Sequence, residues 1–272
     1  MISLYLLNLP GGCSALARTR TPTRAPKPAA SPTRAPSLAV RLVLPLVRPL
    51  VRPLMLPLLL VIACFPAAAQ QSAEEAIALV DVYIKAHNAH QPEEVLAMYH
   101  PDADFHLSMG RGVVSGRDDI ARLEYFDAAA GSTLYPQALT ARPEGDRWVV
   151  GFGYVIEYSD IFAAMGLNIV LAEGMERGFV FENGRIRTIY QPDLLPACME
   201  VMAPGFVALV AWLQETDDPR AGTLLEDGAL ALTYVTAPLL AEAAADWRRE
   251  TGWGPSREQA FRCAQVPGEG GG

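Results

Sequence analysis

The stretch that decides the fold reads Arg177-Gly-Phe-Val-Phe-Glu-Asn-Gly-Arg-Ile-Arg-Thr-Ile-Tyr190. Two runs of aromatic and β-branched residues flank its Asn183-Gly184 pair, which is typical of the two-residue loop of a β-hairpin. The expected cross-strand pairs are Glu182 with Arg185, Phe181 with Ile186, and Phe179 with Thr188. Because side chains alternate along a strand, one face of the hairpin is suited to burial. This face carries Phe179, Phe181, Ile186 and Tyr190.

The composition limits the possible partners of the protein. The chain has 272 residues, 51% of them hydrophobic, and a formal charge of −8, so it can bury a large core. The segment before Glu74 contains basic residues and no acid, so the part that follows is more acidic than the total charge suggests. Since phosphate binding needs an excess of Lys and Arg, we expect no nucleic-acid partner.

Residues 1–69 are predicted to be a disordered leader that ends in a signal peptide. The leader contains 11 of the 22 prolines, and its apolar run over 54–69 is short for a bilayer span. Ala67-Ala68-Ala69 favours cleavage before Gln70, which predicts an exported protein, periplasmic or extracellular. Three alternatives stay open: a lipobox that makes Cys64 a lipidated N-terminus, an organellar transit peptide, and a start codon assigned too far upstream.

Helical signals open the folded part of the chain. Ser72-Ala-Glu-Glu75 is a capping box, and apolar residues at helical spacing predict a helix over 73–90. Pro92 opens a second, shorter helix that we expect to continue to His100, before Pro101. Two short strands follow, over 103–108 and 113–115, and Gly116 begins a third helix.

Only strand signals follow Gly131-Ser132. A strand over 133–142 is interrupted by Pro136, which suits a sheet edge. Large apolar and aromatic residues alternate from Trp148 to Tyr158 along one long predicted strand, with Gly151 and Gly153 on its opposite face. Glycines at such positions indicate a bend or a close backbone approach. The hairpin strands, 169–182 and 185–191, complete the sheet.

This order of elements, together with three local motifs, resembles the nuclear transport factor 2-like superfamily, which includes ketosteroid isomerases and SnoaL-like polyketide cyclases. The motifs are Tyr-His-Pro-Asp-Ala-Asp-Phe (99–105), Ser-Gly-Arg-Asp-Asp-Ile (115–120) and Phe-Glu-Asn-Gly-Arg-Ile (181–186). The resemblance implies an α+β fold, a cone-shaped, curved antiparallel sheet covered by N-terminal helices, with a SnoaL-like domain over residues 70–193. It implies no particular activity, because the fold hosts enzymes, binding modules and assembly proteins.

Residues 194–265 are predicted to be a helical extension packed on this domain, and 266–272 a glycine-rich tail. The apolar run over 205–214 is expected to be helical but too short to cross a membrane. Cys198 and Cys263 lie in the extension, and export favours a disulfide between them. Two buried free thiols are the alternative.

The histidines lie in one short window and are His87, His90, His100 and His106. His87 and His90 could share a metal with Asp102 or Asp104, but the spacing matches no recognised ligand pattern, so we expect no metal. His87 lies on an apolar helix face, and we expect it to be hydrogen-bonded in the core. The sequence contains no glycine-rich phosphate loop, Cys-x-x-Cys pair or nucleophile elbow, so no cofactor is expected.

His106 is the candidate catalytic residue. The resemblance to ketosteroid isomerases implies a general base a few residues after the Asp-Ala of this strand, and aligning Asp102-Ala103 with it places Leu107 there. This departure argues against isomerase chemistry. The neighbouring His106 could act as a base from an interior strand, and a structural histidine is the alternative.

Five further residues are candidate ligand-binding residues because they share sheet faces with large apolar side chains; they are Tyr154, Tyr158, Glu173, Arg177 and Tyr190. In the predicted register, Arg177 faces Tyr190, and Glu173 lies on the same face. Charged groups on a buried face are costly unless paired. These residues therefore either pair with one another in the core or form the polar floor of an apolar cavity.

Three functional hypotheses follow. The first is an exported SnoaL-like domain that binds a small, largely apolar molecule in its cone. The second is an isomerase, cyclase or hydratase that uses His106 or a cavity acid as its acid–base group. The third is a non-catalytic interaction module that forms a homodimer through the open face of its sheet.

Overall fold

The computed structural model of the protein describes residues 72–226 and 228–266. The predicted leader with its signal peptide, the lipobox cysteine Cys64 and nearly all of the predicted tail lie outside the described residues.

Up to Tyr190, the described residues form helices and strands in the order that the sequence predicts, with shifted boundaries, whereas the predicted helical extension also contains a two-stranded hairpin. The domain contains α1 (Ala73–Asn88), α2 (Pro92–Met98), β1 (Tyr99–His106), a 3₁₀ turn (Ser108–Gly110), β2 (Val113–Ser115), α3 (Arg117–Ala129), β3 (Thr133–Gln137), β4 (Thr140–Glu144), β5 (Arg147–Phe152), β6 (Tyr154–Tyr158), α4 (Asp160–Ala164), β7 (Val170–Ala172), β8 (Met175–Glu182) and β9 (Arg185–Tyr190). The extension contains α5 (Pro196–Glu215), α6 (Ala221–Leu224), β10 (Leu225–Glu226), β11 (Ala229–Leu230), α7 (Thr236–Thr251) and α8 (Arg257–Cys263).

The β8–β9 hairpin turns at Asn183 and Gly184, which have φ angles of 52° and 73°. Such left-handed pairs form the two-residue loops whose twist matches that of the strands. The predicted pairs next to the loop are confirmed, since Glu182 lies opposite Arg185 and Phe181 lies opposite Ile186.

The predicted register of the hairpin is wrong beyond Ile186. Arg187 is an extra residue in β9, and Phe179 therefore lies opposite Ile189 instead of Thr188. This β-bulge exchanges the two faces of β9 from that point on. Ile189 is buried next to the hairpin core, whereas Tyr190 is half-buried on the other face.

The strands form two main sheets. The six-stranded sheet has the order β2-β1-β9-β8-β5-β4, and a three-stranded sheet has the order β3-β6-β7. β9 runs parallel to β1, so the larger sheet is mixed rather than antiparallel as predicted. The reason is topological: the chain passes through the seven strands β2 to β8 and the helices α3 and α4 before β9 returns beside β1 in the same direction.

The predicted long strand from Trp148 to Tyr158 is divided at Gly153 into β5 and β6, which belong to different sheets. Gly151 permits the close approach of β8, because a Cβ atom there would lie 2.5 Å from the carbonyl oxygen of Met175. The predicted strands over 133–142 and 169–182 are divided in the same way, into β3 with β4 and β7 with β8. The strands are therefore divided at Gly153 and Gly174 where the sequence has glycines, and at Ala138 and Leu139 where it has none.

The helices cover the sheets and close the core. The Ser72–Glu75 capping box is present at the start of α1, which buries Ala76, Val80 and Tyr83. α2 is shorter than predicted, because the chain already enters β1 at Tyr99.

The extension packs on the domain through α7, which contacts α4 and α3, while α5 contacts α7 and α8. The sulfur atoms of Cys198 and Cys263 lie 2.07 Å apart, as a disulfide that joins α5 to α8.

The predicted helix over 205–214 is part of α5, which has 20 residues. Within the described residues, α5 alone is long and apolar enough to cross a membrane, with a mean hydropathy of 1.6 and 39% of that window buried. A core helix meets the same criterion.

Candidate functional site

A surface pocket of about 610 Å³ lies where β1 and β9 end, beside the turn between β7 and β8. Its lining combines aromatic, aliphatic and acidic side chains with several glycines; the lining residues are His106, Leu107, Ser108, Gly110, Gly112, Val113, Glu173, Gly174, Met175, Tyr190, Gln191 and Asp193. The pocket thus brings together His106, Glu173 and Tyr190, which the sequence singled out separately.

One wall of the pocket is an aromatic stack. The rings of His106 and Tyr190 are nearly parallel, with centroids 4.4 Å apart, because β1 and β9 pair in parallel with these two residues side by side. The guanidinium of Arg177 lies 5.6 Å from the centre of the Tyr190 ring, a favourable position for a cation. The bulge in β9 creates this wall, since it turns Tyr190 away from the hairpin core.

Arg177 and Glu173 do not pair with each other, which was one of the two alternatives for these residues. Arg177 is bound instead by Glu144 of β4, at 3.0 Å from nitrogen to carboxylate oxygen. The two side chains are 41% and 46% exposed, so Arg177 is not a buried cation. Glu173 is exposed in the β7–β8 turn. The cause is the break at this turn, which removes Glu173 from the strand that carries Arg177.

Tyr154 and Tyr158 are not among the residues that line the pocket. After the bend at Gly153, the buried side chains of β6 are Val155 and Glu157, and the two tyrosines point to the other face. Tyr158 is exposed and packs edge-to-face on Tyr135 of β3, with ring centroids 5.7 Å apart. The structure therefore separates the five predicted ligand-binding residues into different places.

A second concentration of polar groups lies in the core, between α1, α3 and the sheets. The carboxylate of Glu124 accepts hydrogen bonds from the hydroxyls of Tyr99 at 2.6 Å and Tyr83 at 3.1 Å. Nδ1 of His87 lies 3.5 Å from the other oxygen of Glu124. These four side chains are buried, as expected for His87, and their groups satisfy one another.

The network continues from His87 to a second acid. Nε2 of His87 lies 3.4 Å from the hydroxyl oxygen of Ser132, and that hydroxyl is hydrogen-bonded to Oε1 of Glu157 at 3.2 Å. Ser132 and Glu157 are both fully buried. The interior cluster is hereafter the set Tyr83, His87, Tyr99, Glu124, Ser132 and Glu157.

Burial sets the protonation states in this cluster. It lowers the pKa of His87, and it raises the pKa of Glu157 despite the hydrogen bond from Ser132. Burial alone would also raise the pKa of Glu124, but the hydrogen bonds from His87 and Tyr99 outweigh it and hold that pKa below its ordinary value. Burial and the nearby Glu124 charge raise the pKa values of Tyr83 and Tyr99. At neutral pH, Glu124 is therefore ionised and His87 is neutral, while the pKa shift of Glu157 runs opposite to that of Glu124.

The sequence analysis missed Glu124, Ser132 and Glu157. The sequence did contain a signal for Glu157, because it is an acid inside a run of apolar strand residues. For Glu124 the only signal was its neighbour Phe126 on a helix with a weak apolar pattern. In the described part of the chain, no group of three or more His, Cys, Asp and Glu side chains could hold a metal ion.

No family model and no curated protein matches the chain. Solved structures similar to it include a protein from Xanthomonas campestris described as a calcium/calmodulin-dependent protein kinase II association domain, at 20% identity and a TM-score of 0.36, covering 45% of this chain and 86% of that one. An epoxide hydrolase/cyclase-like enzyme of pyran ring formation in salinomycin matches at 15% identity and a TM-score of 0.37, covering 46% of this chain and 94% of that one. A polyketide cyclase-like protein from Xanthomonas campestris matches at 21% identity and a TM-score of 0.33, covering 44% of this chain and 91% of that one.

These solved structures each cover less than half of the chain. The fold of the described domain is assigned from its own elements, in the order α1, α2, β1, β2, α3 and then β3 to β9, without the TM-scores. By this order of elements, the domain has the α+β arrangement that the resemblance to the nuclear transport factor 2-like superfamily implies.

Proposed function

We propose that the domain binds a small, largely apolar molecule in the surface pocket. The observation that carries this proposal is the composition of the pocket wall, where the stacked rings of His106 and Tyr190 adjoin Leu107, Val113 and Met175. A volume of about 610 Å³ lies within the usual range for small-molecule sites, roughly 300–1,000 Å³. Displacement of water from the apolar wall supplies the driving force.

The charges around the pocket restrict the ligand further. Glu173 and Asp193 line it, and no Lys or Arg is found among its lining residues in the described chain. Acids on the rim repel an anion and attract a cation. We therefore expect a neutral or positively charged ligand, since the Arg177 guanidinium beside the Tyr190 ring is already paired with Glu144.

Nile red, a neutral apolar fluorophore, tests the proposal by fluorescence titration of the expressed chain. Val113→Asp places a charge in the apolar wall and should weaken binding by about tenfold or more. Val82→Asp is the matched control, because Val82 is exposed on α1 to a similar extent, 54% against 48% for Val113. Equal affinity in both variants, or binding that does not saturate, would refute the proposal.

An acid–base reaction in the same pocket is a second candidate, because the imidazole of His106 lines it and an imidazole can give or take a proton. For any compound that the pocket is found to convert, His106→Gln should lower kcat by a much larger factor than it weakens the binding of Nile red, because the His106 ring is only one part of the apolar wall. A kcat equal to that of the parent protein would exclude His106 as the acid–base group.

We also propose that the chain is exported, on the sequence of its leader. The first described residue, Ser72, already caps α1, and the favoured cleavage before Gln70 would leave that cap intact. The intact mass of exported protein should correspond to a chain that begins at Gln70. A chain that begins at Cys64 and carries lipid would instead establish the lipobox.

A further inference from the structure

Two acids lie side by side at one edge of the surface pocket. Ala172 and Leu194 form an antiparallel bridge, and next to it the backbone N–H of Glu173 donates to the carbonyl oxygen of Asp193 at 2.7 Å. Glu173 and Asp193 are therefore directly opposite each other, and both line the pocket. Side chains of directly opposed residues lie on the same face of the strand pair, with Cβ atoms about 5 Å apart.

The charges at this edge determine which ligand the pocket prefers. Glu173 is exposed, and its carboxylate makes no hydrogen bond or ion pair within the part of the chain that the structure describes. In the same part, no Lys or Arg lines the pocket, and the guanidinium of Arg177 is bound by Glu144. Like charges directly opposite each other repel, so a positive group placed beside Glu173 and Asp193 is attracted by both.

The lining of the pocket suits an organic cation better than a metal ion. Calcium takes about six to eight oxygen ligands, and among the described residues no group of three or more His, Cys, Asp and Glu side chains could hold a metal. The opposite wall is apolar, with the ring of His106 stacked on that of Tyr190 at 4.4 Å. Such a wall fits the apolar body of an amine, and aromatic rings also attract its positive charge.

We propose that the ligand of the surface pocket is an organic ammonium ion, that is, an amine with an apolar body. Its charged end lies against Glu173 and Asp193, and its body lies along the wall formed by His106 and Tyr190. The ammonium group has only donors and the carboxylates have only acceptors, and such charge-assisted hydrogen bonds are stronger than neutral ones. The inference rests on the function proposed for this pocket and specifies the charge of the ligand.

Three compounds of similar size test the charge: phenethylamine, which is positive at neutral pH, 2-phenylethanol, which is neutral, and phenylacetate, which is negative. Each competes with Nile red for the expressed chain in a fluorescence titration. Phenethylamine should bind about tenfold more tightly than 2-phenylethanol, because its hydrogen bond to a carboxylate is assisted by charge on both sides. Phenylacetate should bind most weakly. Added salt should reduce the preference for the amine, since it screens exposed charges.

Variants of the two acids locate the effect. Glu173→Gln keeps the size of the side chain and removes its charge, so it should lower the preference for phenethylamine and leave the affinity for 2-phenylethanol unchanged. Addition of Asp193→Asn should abolish the preference. Glu176→Gln is the matched control, because Glu176 is also exposed, lies three residues further along the chain and is not among the lining residues. It should leave the preference unchanged.

Failure of this inference can be distinguished from failure of the proposed function. If 2-phenylethanol displaces Nile red as well as phenethylamine does, or better, the pocket binds apolar molecules and the ammonium proposal is overturned. A preference that Glu176→Gln lowers as much as Glu173→Gln would also overturn it, because the cause would then be the negative charge of the whole protein. If Nile red itself does not bind, the proposed function and the ammonium proposal are both refuted.

Discussion

Replacement of Glu124 by leucine is the most direct test of the interior cluster. The substitution removes the acceptor of two phenolic hydroxyls, those of Tyr83 and Tyr99, and of the Nδ1 proton of His87. All three donors are buried, so water cannot replace the lost carboxylate without opening the core.

The size of the effect follows from the number of stranded donors. A buried donor left without a partner costs about 1–3 kcal/mol. Removal of the ionised carboxylate also relieves its own desolvation, so the three costs do not simply add. We expect a loss of about 3–5 kcal/mol in the free energy of unfolding, as for other broken buried pairs. For a domain of this size, this corresponds to a fall of about 10 °C in Tm.

Urea unfolding followed by circular dichroism measures the loss. The control is the triple variant Glu124→Leu, Tyr83→Phe and Tyr99→Phe, in which the two stranded hydroxyls are also removed. It should recover about 2 kcal/mol relative to Glu124→Leu alone. In the presence of Glu124, by contrast, Tyr99→Phe alone should destabilise, because it removes a hydrogen bond of 2.6 Å to a carboxylate.

Two results would refute this reasoning. The first is a Glu124→Leu variant that unfolds within 1 kcal/mol of the parent protein, which would mean that the donors find other partners. The second is a triple variant that is less stable than Glu124→Leu by the sum of the losses that Tyr83→Phe and Tyr99→Phe each cause when Glu124 is present. The side chains would then be independent rather than joined through Glu124.

Four further predictions concern two pKa shifts, the disulfide and the surface ion pair. Folding raises the pKa of Glu157 from its ordinary 4.5, so the native state retains a proton that the unfolded chain loses. In urea unfolding, the stability of the parent protein relative to Glu157→Gln should therefore decrease as the pH rises above 4.5. An increase over this range would contradict the direction of the pKa shift. Folding lowers the pKa of His87 from 6.5, so relative to His87→Asn the parent should lose stability as the pH falls below 6.5. The Cys198–Cys263 bond closes a loop with a sequence separation of 65 and should stabilise the extension by about 4 kcal/mol; two thiols that react with maleimide in unreduced native protein would exclude it. Arg177→Met should change the free energy of unfolding by less than about 1 kcal/mol, because its ion pair is half exposed, and a loss of several kcal/mol would place Arg177 in the core after all.

Local chemistry explains what the sequence predicted correctly. The loop at Asn183 and Gly184 and the cap at Ser72 each depend on residues within a few positions of one another. Their conformations are therefore set by propensity and by short-range hydrogen bonds. The order of helices and strands follows from the same kind of signal, because apolar periodicity identifies an element wherever it packs.

Pairing between strands that are distant in the sequence decided the register of β9 and the division of the strands between two sheets. Nothing local to Arg187 predicts a bulge; it arises because β9 must match β8 on one side and β1 on the other. That one residue moves Tyr190 onto His106 and so builds the wall of the pocket. The glycine at 153 signalled a bend, but only the tertiary structure shows that the strands on its two sides join different sheets.

The interior cluster is the strongest case of tertiary control. Its members come from α1, β1, α3, the residue before β3, and β6, and the partners of its hydrogen bonds are 25 to 45 residues apart in the chain. A sequence pattern marks which side of an element is buried, and it does not show which polar atoms meet there. Glu124 and Glu157 thus owe their partners, and the opposite directions of their pKa shifts, to the packing of helices on sheets.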